Sequence, residues 1–459
     1  MEDSKVFVSP IFQDDKARDR LSFIFYIVVS IQILATVWGC GGTWREFSIL
    51  IYSTFFVGAL IILGFFAKYA TSEYVISYKG DARLLLFCFL FTLEAFLQLF
   101  LYDSQLIQEE NYLRILRREL PKFLPSSVDS EYQLGGAYPA FASIFSAASA
   151  FAISILAQKL DISKVLLKIL SINIVLMALF GIVQKFLSEY MIYGLFYSDS
   201  MKYGTIFISN ASGAAINLGL SGILGLLLLE WNDRFKFIRR CFYLICAAIC
   251  LYAVYDTKSV GAVAISCIQI LIFICVCLCG KSLKAWLLMA IVIALGVAAA
   301  SGYRDHFLPE DTAVAQKSFS SRMLYNKVSM PLFDPTKIWG IGGGNYEYKV
   351  GVKLIELSGS DAFRSPRIIR HAHNDPLEYI FEYGIIGCII FLGFFVEYNI
   401  RVFHLIKKHF TKSNVILLSG VMLCGLHSFL DLHLHVMSVL IIFAFYLAIA
   451  ISNFKRNSI

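Results

Sequence analysis

Long apolar runs separated by short polar segments dominate the pattern of this chain. A run of about 20 apolar residues is needed to cross about 30 Å of hydrocarbon. Twelve runs meet that requirement, and each predicts a membrane-spanning helix: residues 22–40, 47–66, 84–102, 138–157, 165–187, 206–229, 238–255, 260–279, 284–301, 377–400, 414–430 and 436–453. The fourth and sixth are rich in Ala, Ser and Gly, a composition that suits tightly packed interior helices.

Two long polar connections divide this series of helices. The predicted organisation is an N-terminal tail (1–21), nine spans with one long loop at 103–137 (22–301), a large loop (302–376), and three further spans with a C-terminal tail (377–459). The predicted fold class is therefore all-α, a polytopic membrane bundle of about twelve helices.

Composition and charge support this class. The chain is 58% hydrophobic and 16% charged, whereas soluble domains carry about 25% charged residues. The net charge of +7 is expected to set membrane orientation rather than to bind nucleic acid, because Lys and Arg collect in alternate connections. This bias places both termini in the cytoplasm and both long loops outside. The first run follows a charged segment through Arg20 and is expected to remain as a span.

The stretch from Arg370 to Phe395 combines chemically capable groups with the start of a span. Two titratable residues, His371 and His373, precede a polar corner at residues 374–376. Asn374 or Asp375 is predicted to cap the helix, with Pro376 in its first turn.

The helix that follows carries two carboxylates and two glycines. Glu378 and Glu382 are spaced i,i+4 and are predicted to share one helix face. Gly384 and Gly387 leave room for the close approach of another helix.

Further candidates lie elsewhere in the chain. The large loop holds Arg322, the glycine-rich segment 340–344, and Arg364, Arg367 and Arg370 at i,i+3 spacing. The segment 340–344 is predicted to be a tight turn whose amides, including those of Gly342 and Gly343, face a ligand; by itself this signal is weak. His427, Asp431, His433 and His435 have the residue types of a metal site, but hydrogen-bonded links are the more common arrangement. Solvated arginines and a snorkelling Lys258 are the ordinary alternatives.

His373-Asn374, nine residues, then Gly384-Ile-Ile-Gly387 resembles a motif of the bacterial O-antigen ligase and O-antigen polymerase superfamily. The resemblance extends to Arg322 ahead of the glycine-rich segment, to the stretch from Gly204 to Ala214, and to His427 with Asp431. It covers roughly residues 180–445. One position departs from the family pattern, because Ser259-Val260-Gly261 has Val where Arg is expected; Lys258 is the neighbouring cation.

The resemblance implies a GT-C-like, metal-independent and cofactor-free glycosyltransferase of the bacterial inner membrane. Such enzymes pass a glycan from undecaprenyl diphosphate to an acceptor on the outer face. It further implies that His373 and Arg322 are catalytic. His373 would act as a general base, oriented by Glu378 or Glu382. Substrate binding would involve the residues Lys258, Arg364, Arg367, Arg370, Asn374, Glu378, Gly342 and Gly343, with His427 and Asp431 as secondary candidates.

Three functions remain open at the sequence level. A ligase would pass the whole glycan to lipid A–core, and a polymerase would pass it to another lipid-linked unit. The complete motif favours the ligase. A flippase or other transporter would place ionisable groups deep within the spans. Here they cluster near one face, with Glu94 as the main exception, so an enzyme is favoured.

Overall fold

The computed structural model describes residues 15–42, 45–69, 79–109, 112–117, 124, 127–130, 136–187, 191–192, 196–197, 203–206, 208–231, 236–279, 326–327, 329–351, 371–409 and 411–454. The predicted ninth span, 284–301, lies outside the described residues, as does most of the large loop.

Eleven α-helices account for most of the described chain. They are α1 (Asp15–Trp38), α2 (Arg45–Tyr69), α3 (Lys79–Leu97), α4 (Ala137–Lys159), α5 (Ser163–Leu187), α6 (Ser209–Leu229), α7 (Lys236–Asp256), α8 (Val260–Cys279), α9 (Asp375–His409), α10 (Lys412–His427) and α11 (Met437–Ala450). Each coincides with a predicted span to within several residues. Eight of them are long and apolar enough to cross a membrane; α3 is more polar, and α10 and α11 are shorter. The prediction of a polytopic helical membrane protein is confirmed.

Two small sheets interrupt the connections, and the sequence analysis did not anticipate them. Strands β1 (Tyr102–Glu109), β2 (Tyr112–Arg117) and β3 (Ser127–Ser130) form a sheet in the order β2-β1-β3. Strands β4 (Met191–Ile192) and β5 (Phe196–Tyr197) form a two-residue antiparallel ladder. Both lie outside the helices, so the bundle itself remains all-helical.

Helix α6 is the central helix of the bundle. Every residue from 211 to 227 is buried. Small residues permit this, because a Cβ at Gly222 would lie 2.1 Å from the Ser171 hydroxyl. Within the apolar interior, Asn217 donates to the Ala262 carbonyl at 2.9 Å and accepts from Ser266 at 2.6 Å. The Ala- and Gly-rich sixth span is thus an interior helix, as its composition predicts.

Basic residues gather at one end of the bundle. Glu230 is buried there and pairs with Lys164 at 3.1 Å and Arg239 at 3.7 Å. At the same end Arg401 lies 3.5 Å from Asp81. The opposite end contains the start of α9, the end of α10 and the start of α8, and this is where the candidate functional residues meet.

Candidate functional site

The start of α9 is fixed by its own cap and by the link between α10 and α11, residues 428–436. The Asn374 side chain accepts a hydrogen bond from the Leu377 amide at 3.1 Å, which confirms the predicted cap. The Asp375 amide donates to the Ser428 carbonyl at 2.9 Å. The first residue of α9 is therefore hydrogen-bonded to the α10–α11 link. The loop that carries His373 directly precedes this residue and is held against the same link.

His373 faces the carboxylate of Asp431. Its Nδ1 lies 3.5 Å from Asp431 Oδ1, and the side chain of Asp431 is 2% exposed against 32% for His373. The His373 backbone has φ +52°, a left-handed conformation that is uncommon for residues with a β-carbon. The expectation that Glu378 or Glu382 orients His373 is wrong in this structure; the nearby carboxylate is Asp431, because α9 turns both glutamates toward other histidines.

Glu378 instead organises the neighbouring histidine. Its Oε1 lies 2.7 Å from His371 Nδ1, and its Oε2 accepts from the Ala372 amide at 2.8 Å. Burial would lower the pKa of His371, but the adjacent carboxylate outweighs it and raises that pKa above the usual value. Glu378 thus holds the shape of the loop that carries His373.

His435 is surrounded by three carboxylates of α9. Its Nδ1 lies 2.5 Å from Asp375 Oδ1, and its Nε2 lies 3.5 Å from Glu378 Oε1 and from Glu382 Oε2. Tyr379 stacks on the ring with centroids 4.6 Å apart. The shared face predicted for Glu378 and Glu382 is confirmed by this geometry.

Within the described residues, Glu378, Glu382 and His435 form a group that could hold a metal ion. Ligand atoms of Glu378, Glu382 and His435 all lie within 4.8 Å of one another. The sequence analysis considered a metal at His427, Asp431, His433 and His435 instead. In that cluster, His433 bonds to the Cys424 carbonyl at 3.2 Å, and burial lowers the pKa of His433 to about 4.

The glycine-rich turn packs against a break in α9. Gly384 has φ +60° and ψ −155° inside the helix, so nearby carbonyls lose their helical partners. The Ile341 amide donates to the Phe381 carbonyl and the Gly342 amide to the Glu382 carbonyl, both at 2.9 Å. A Cβ on Gly384 would lie 2.3 Å from the Gly340 nitrogen, so close contact here requires glycine.

This arrangement corrects two expectations. The amides of Gly342 and Gly343 donate to protein oxygens, the second to Gln98 Oε1 at 2.8 Å, rather than pointing freely at a ligand. Gly384 accommodates the turn and not a neighbouring helix. Gly387 does face another helix, because a Cβ there would lie 3.4 Å from Glu94 Oε2 of α3.

Lys258 lies in the tight connection between α7 and α8. It is exposed, has φ +56°, and its amide donates to the Tyr255 carbonyl at 3.1 Å. A Cβ on Gly261 would lie 2.6 Å from His427 Nε2, and the His427 ring packs on His433 with centroids 4.6 Å apart. The start of α8, just after Lys258, therefore packs directly on the end of α10.

Four predicted site residues cannot be placed. Arg322, Arg364, Arg367 and Arg370 lie outside the described residues. Conversely, sequence reasoning did not single out Gln98, which binds the glycine-rich turn. Gln98 follows Glu94 by four residues near the end of an apolar run, and two polar residues on one face of a span are the signal that would have found it.

The comparisons with known proteins agree with the arrangement at this end of the bundle. Residues 245–392 match the family described as O-antigen ligase; no curated protein matches the chain. The matched segment contains Lys258, the glycine-rich turn, His373 and both glycines of the α9 break, and it supports a glycosyl-transfer role in O-antigen or polysaccharide synthesis. This segment of the chain is therefore similar to the family described as O-antigen ligase.

Proposed function

We propose that this protein transfers a glycan from undecaprenyl diphosphate to an acceptor hydroxyl at the outer face of the bacterial inner membrane. The favoured acceptor is lipid A–core, which makes the protein an O-antigen ligase. The observation that carries the proposal is His373, partly exposed and 3.5 Å from the buried carboxylate of Asp431.

This pair has the composition of a general base and its orienting group. Nδ1 of His373 faces Asp431, which leaves Nε2 available for the acceptor. The distance of 3.5 Å is long for a hydrogen bond, and catalytic contacts of this kind often tighten only when substrate is bound.

The transfer step exchanges one bond to the sugar for another. The acceptor oxygen attacks the anomeric carbon of the glycan and gives its proton to His373. The bond from that carbon to the diphosphate breaks, and the leaving diphosphate takes the electron pair. Cations must stabilise the charge that develops on it. Lys258 and the arginines of the large loop, Arg322 above all, are assigned this role, and no step runs through a metal ion.

The test uses purified protein, a polyprenyl-linked glycan donor and two acceptors, lipid A–core and a second lipid-linked unit. His373→Ala should retain donor binding and lose transfer by about 10²–10⁴-fold, the usual contribution of a general base. The matched control is His404→Ala, on α9 far from its start. Transfer should also survive a chelator in the assay.

The two acceptors distinguish the two candidate functions. Product on lipid A–core supports a ligase, and product on the lipid-linked unit alone would make the protein a polymerase. Wild-type transfer by His373→Ala would remove the general-base assignment. An absolute requirement for added divalent metal would contradict the proposal that cationic side chains stabilise the leaving diphosphate.

A further inference from the structure

We infer that His435 is a positioning residue whose imidazolium fixes the α10–α11 link against the start of α9. The link carries Asp431, and the start of α9 directly follows His373. The inference deepens the proposed function and rests on it for the identity of the reacting pair. It concerns how that pair is brought to 3.5 Å, since His373 and Asp431 lie on separate segments of the chain.

Among the described residues, four hydrogen bonds join the two segments, and three of them involve Asp375 or His435. The Asp375 carboxylate accepts from the Leu434 amide at 2.8 Å and from His435 Nδ1 at 2.5 Å. The Asp375 amide donates to the Ser428 carbonyl. The Tyr379 hydroxyl donates to the Leu434 carbonyl at 3.2 Å, and the same ring stacks on His435. The position of Asp431, midway along this link, depends on these contacts.

The buried carboxyl groups around His435 favour its protonated form. Asp375, Glu378 and Glu382 are each no more than 1% exposed. His371 pairs with Glu378, whereas within the described residues Glu382 Oε1 and His435 Nε2 have no hydrogen-bond partner. A neutral His435 would either turn a lone pair toward carboxylate oxygens or leave the buried carboxylates of Asp375 and Glu382 without a cation, and unpaired buried charge is strongly unfavourable.

Every titratable group facing His435 acts in a known direction. From α9 these are Asp375, Glu378, Tyr379 and Glu382; from the preceding loop, His371; from its own link, His433. Burial lowers the pKa of His435, but Glu378 and the other acidic partners outweigh burial and raise that pKa well above its usual value.

A raised folded-state pKa determines the direction in which the stability of the protein changes with pH. The stabilisation is fully present below the unfolded-state pKa of about 6.5 and is lost as the pH rises through the folded-state pKa. Transfer should therefore fall at high pH as His435 loses its proton.

The first experiment measures thermal stability against pH and needs no enzymatic activity. The wild-type midpoint should fall as the pH rises through the raised pKa of His435, and His435→Gln should lack that fall. His433→Gln is the matched control, since it makes the same change two residues away in the same buried link but keeps His435. An unchanged pH dependence in His435→Gln would overturn the inference, whatever the protein transfers.

The second experiment asks whether charge is the reason. His435→Gln should lower kcat by about 10–100-fold, as expected for displacement of a reacting group by about 1 Å, with little change in the KM for donor. Adding Glu382→Gln to this variant removes the uncompensated carboxylate and should restore a large part of kcat. Failure of the double variant to recover would contradict the charge argument.

Metal content gives the third readout, because a divalent ion would occupy the same position between Glu378, Glu382 and His435. Elemental analysis of the purified wild type should find no stoichiometric ion. An ion bound one to one in the wild type and lost in His435→Gln would overturn the inference that an imidazolium occupies this position, and would indicate a metal centre instead.

Discussion

At the residue scale, the candidate site contains two residues whose backbone conformations are unusual. Among the described residues, four non-glycine positions have positive φ: Cys40, Asp161, Lys258 and His373. Two of these four are residues to which the sequence assigned chemistry. Left-handed conformations cost free energy and persist where surrounding structure enforces them, often at functional sites. Here the cap at Asn374 and the short α7–α8 connection enforce them.

Lys258 provides a prediction at this scale. Lys258→Ala should weaken binding of the diphosphate donor by about tenfold or more, because a hydrogen bond to a charged group contributes about 1.5–3 kcal/mol. Lys258→Arg should be tolerated, since its head reaches the same phosphate. Both variants retain a β-carbon, so the backbone strain is unchanged.

The measurement is donor affinity by calorimetry or fluorescence titration in detergent or nanodiscs. Lys407→Ala is the control, because Lys407 is an exposed lysine near the opposite end of α9, where its ammonium lies 4.3 Å from the centroid of the Phe403 ring. If Lys258→Ala binds donor like the wild type, Val260 marks the loss of a phosphate contact rather than its transfer to Lys258.

At the element scale, α9 is two helical segments joined at Gly384. The break frees carbonyls that pair with the glycine-rich turn, and the Ile386 amide donates to the Ile338 carbonyl at 3.0 Å. The two halves of the family motif therefore have separate tasks. His373 and Asn374 form the loop of the proposed general base and its cap, whereas Gly384 and Gly387 let the turn and α3 pack against the helix that follows.

Gly384→Ala tests this division. The alanine would adopt a strained backbone costing about 1–3 kcal/mol, and its Cβ would also meet backbone atoms at 2.3 and 2.5 Å. We expect a lower unfolding midpoint and reduced transfer together.

Gly425→Ala is the matched control, since nothing lies within 4 Å of its Cβ and alanine favours a helix interior by about 0.5–1 kcal/mol. Its thermal midpoint should be equal to the wild type or higher. Equal stability of the two variants would show that the break at Gly384 is not maintained in the folded protein.

At the scale of the whole molecule, the two ends of the bundle differ in their charged groups. One end pairs basic side chains with buried acids such as Glu230 and Asp81, and the other contains the histidines and carboxylates of the candidate site. A site at one end suits a membrane-embedded donor, because the lipid tail stays in the bilayer while the diphosphate reaches the surface.

Orientation gives the prediction at this scale. Reporter fusions at Ser126 and Gly359 should be active in a periplasmic assay and silent in a cytoplasmic one, since the basic end is expected to face the cytoplasm. A fusion at the C-terminus should behave in the opposite way and serves as the control. Cytoplasmic activity at Gly359 would invert the bundle and place the site on the wrong face for the proposed donor.

The sequence by itself determined the fold class and most of the spans, and it supplied the motif on which the proposed function rests. Hydrophobic length fixes where helices lie, because no other backbone arrangement satisfies its hydrogen bonds across a bilayer except a closed barrel. Eleven of the twelve predicted spans correspond to helices in the described residues, and the cap at Asn374 and the shared face of Glu378 and Glu382 follow from local spacing. These features depend on neighbours within a few residues, which is the range that a sequence pattern reports.

Only the tertiary structure decided which groups meet. Asp431 faces His373 from 58 positions away along the chain, and His435 reaches the α9 carboxylates across a similar separation. The pairing of the glycine-rich turn with the broken α9, and the binding of Gln98 to that turn, likewise join distant segments. Such contacts are set by how helices pack and where a helix breaks, and spacing along one segment carries no information about either.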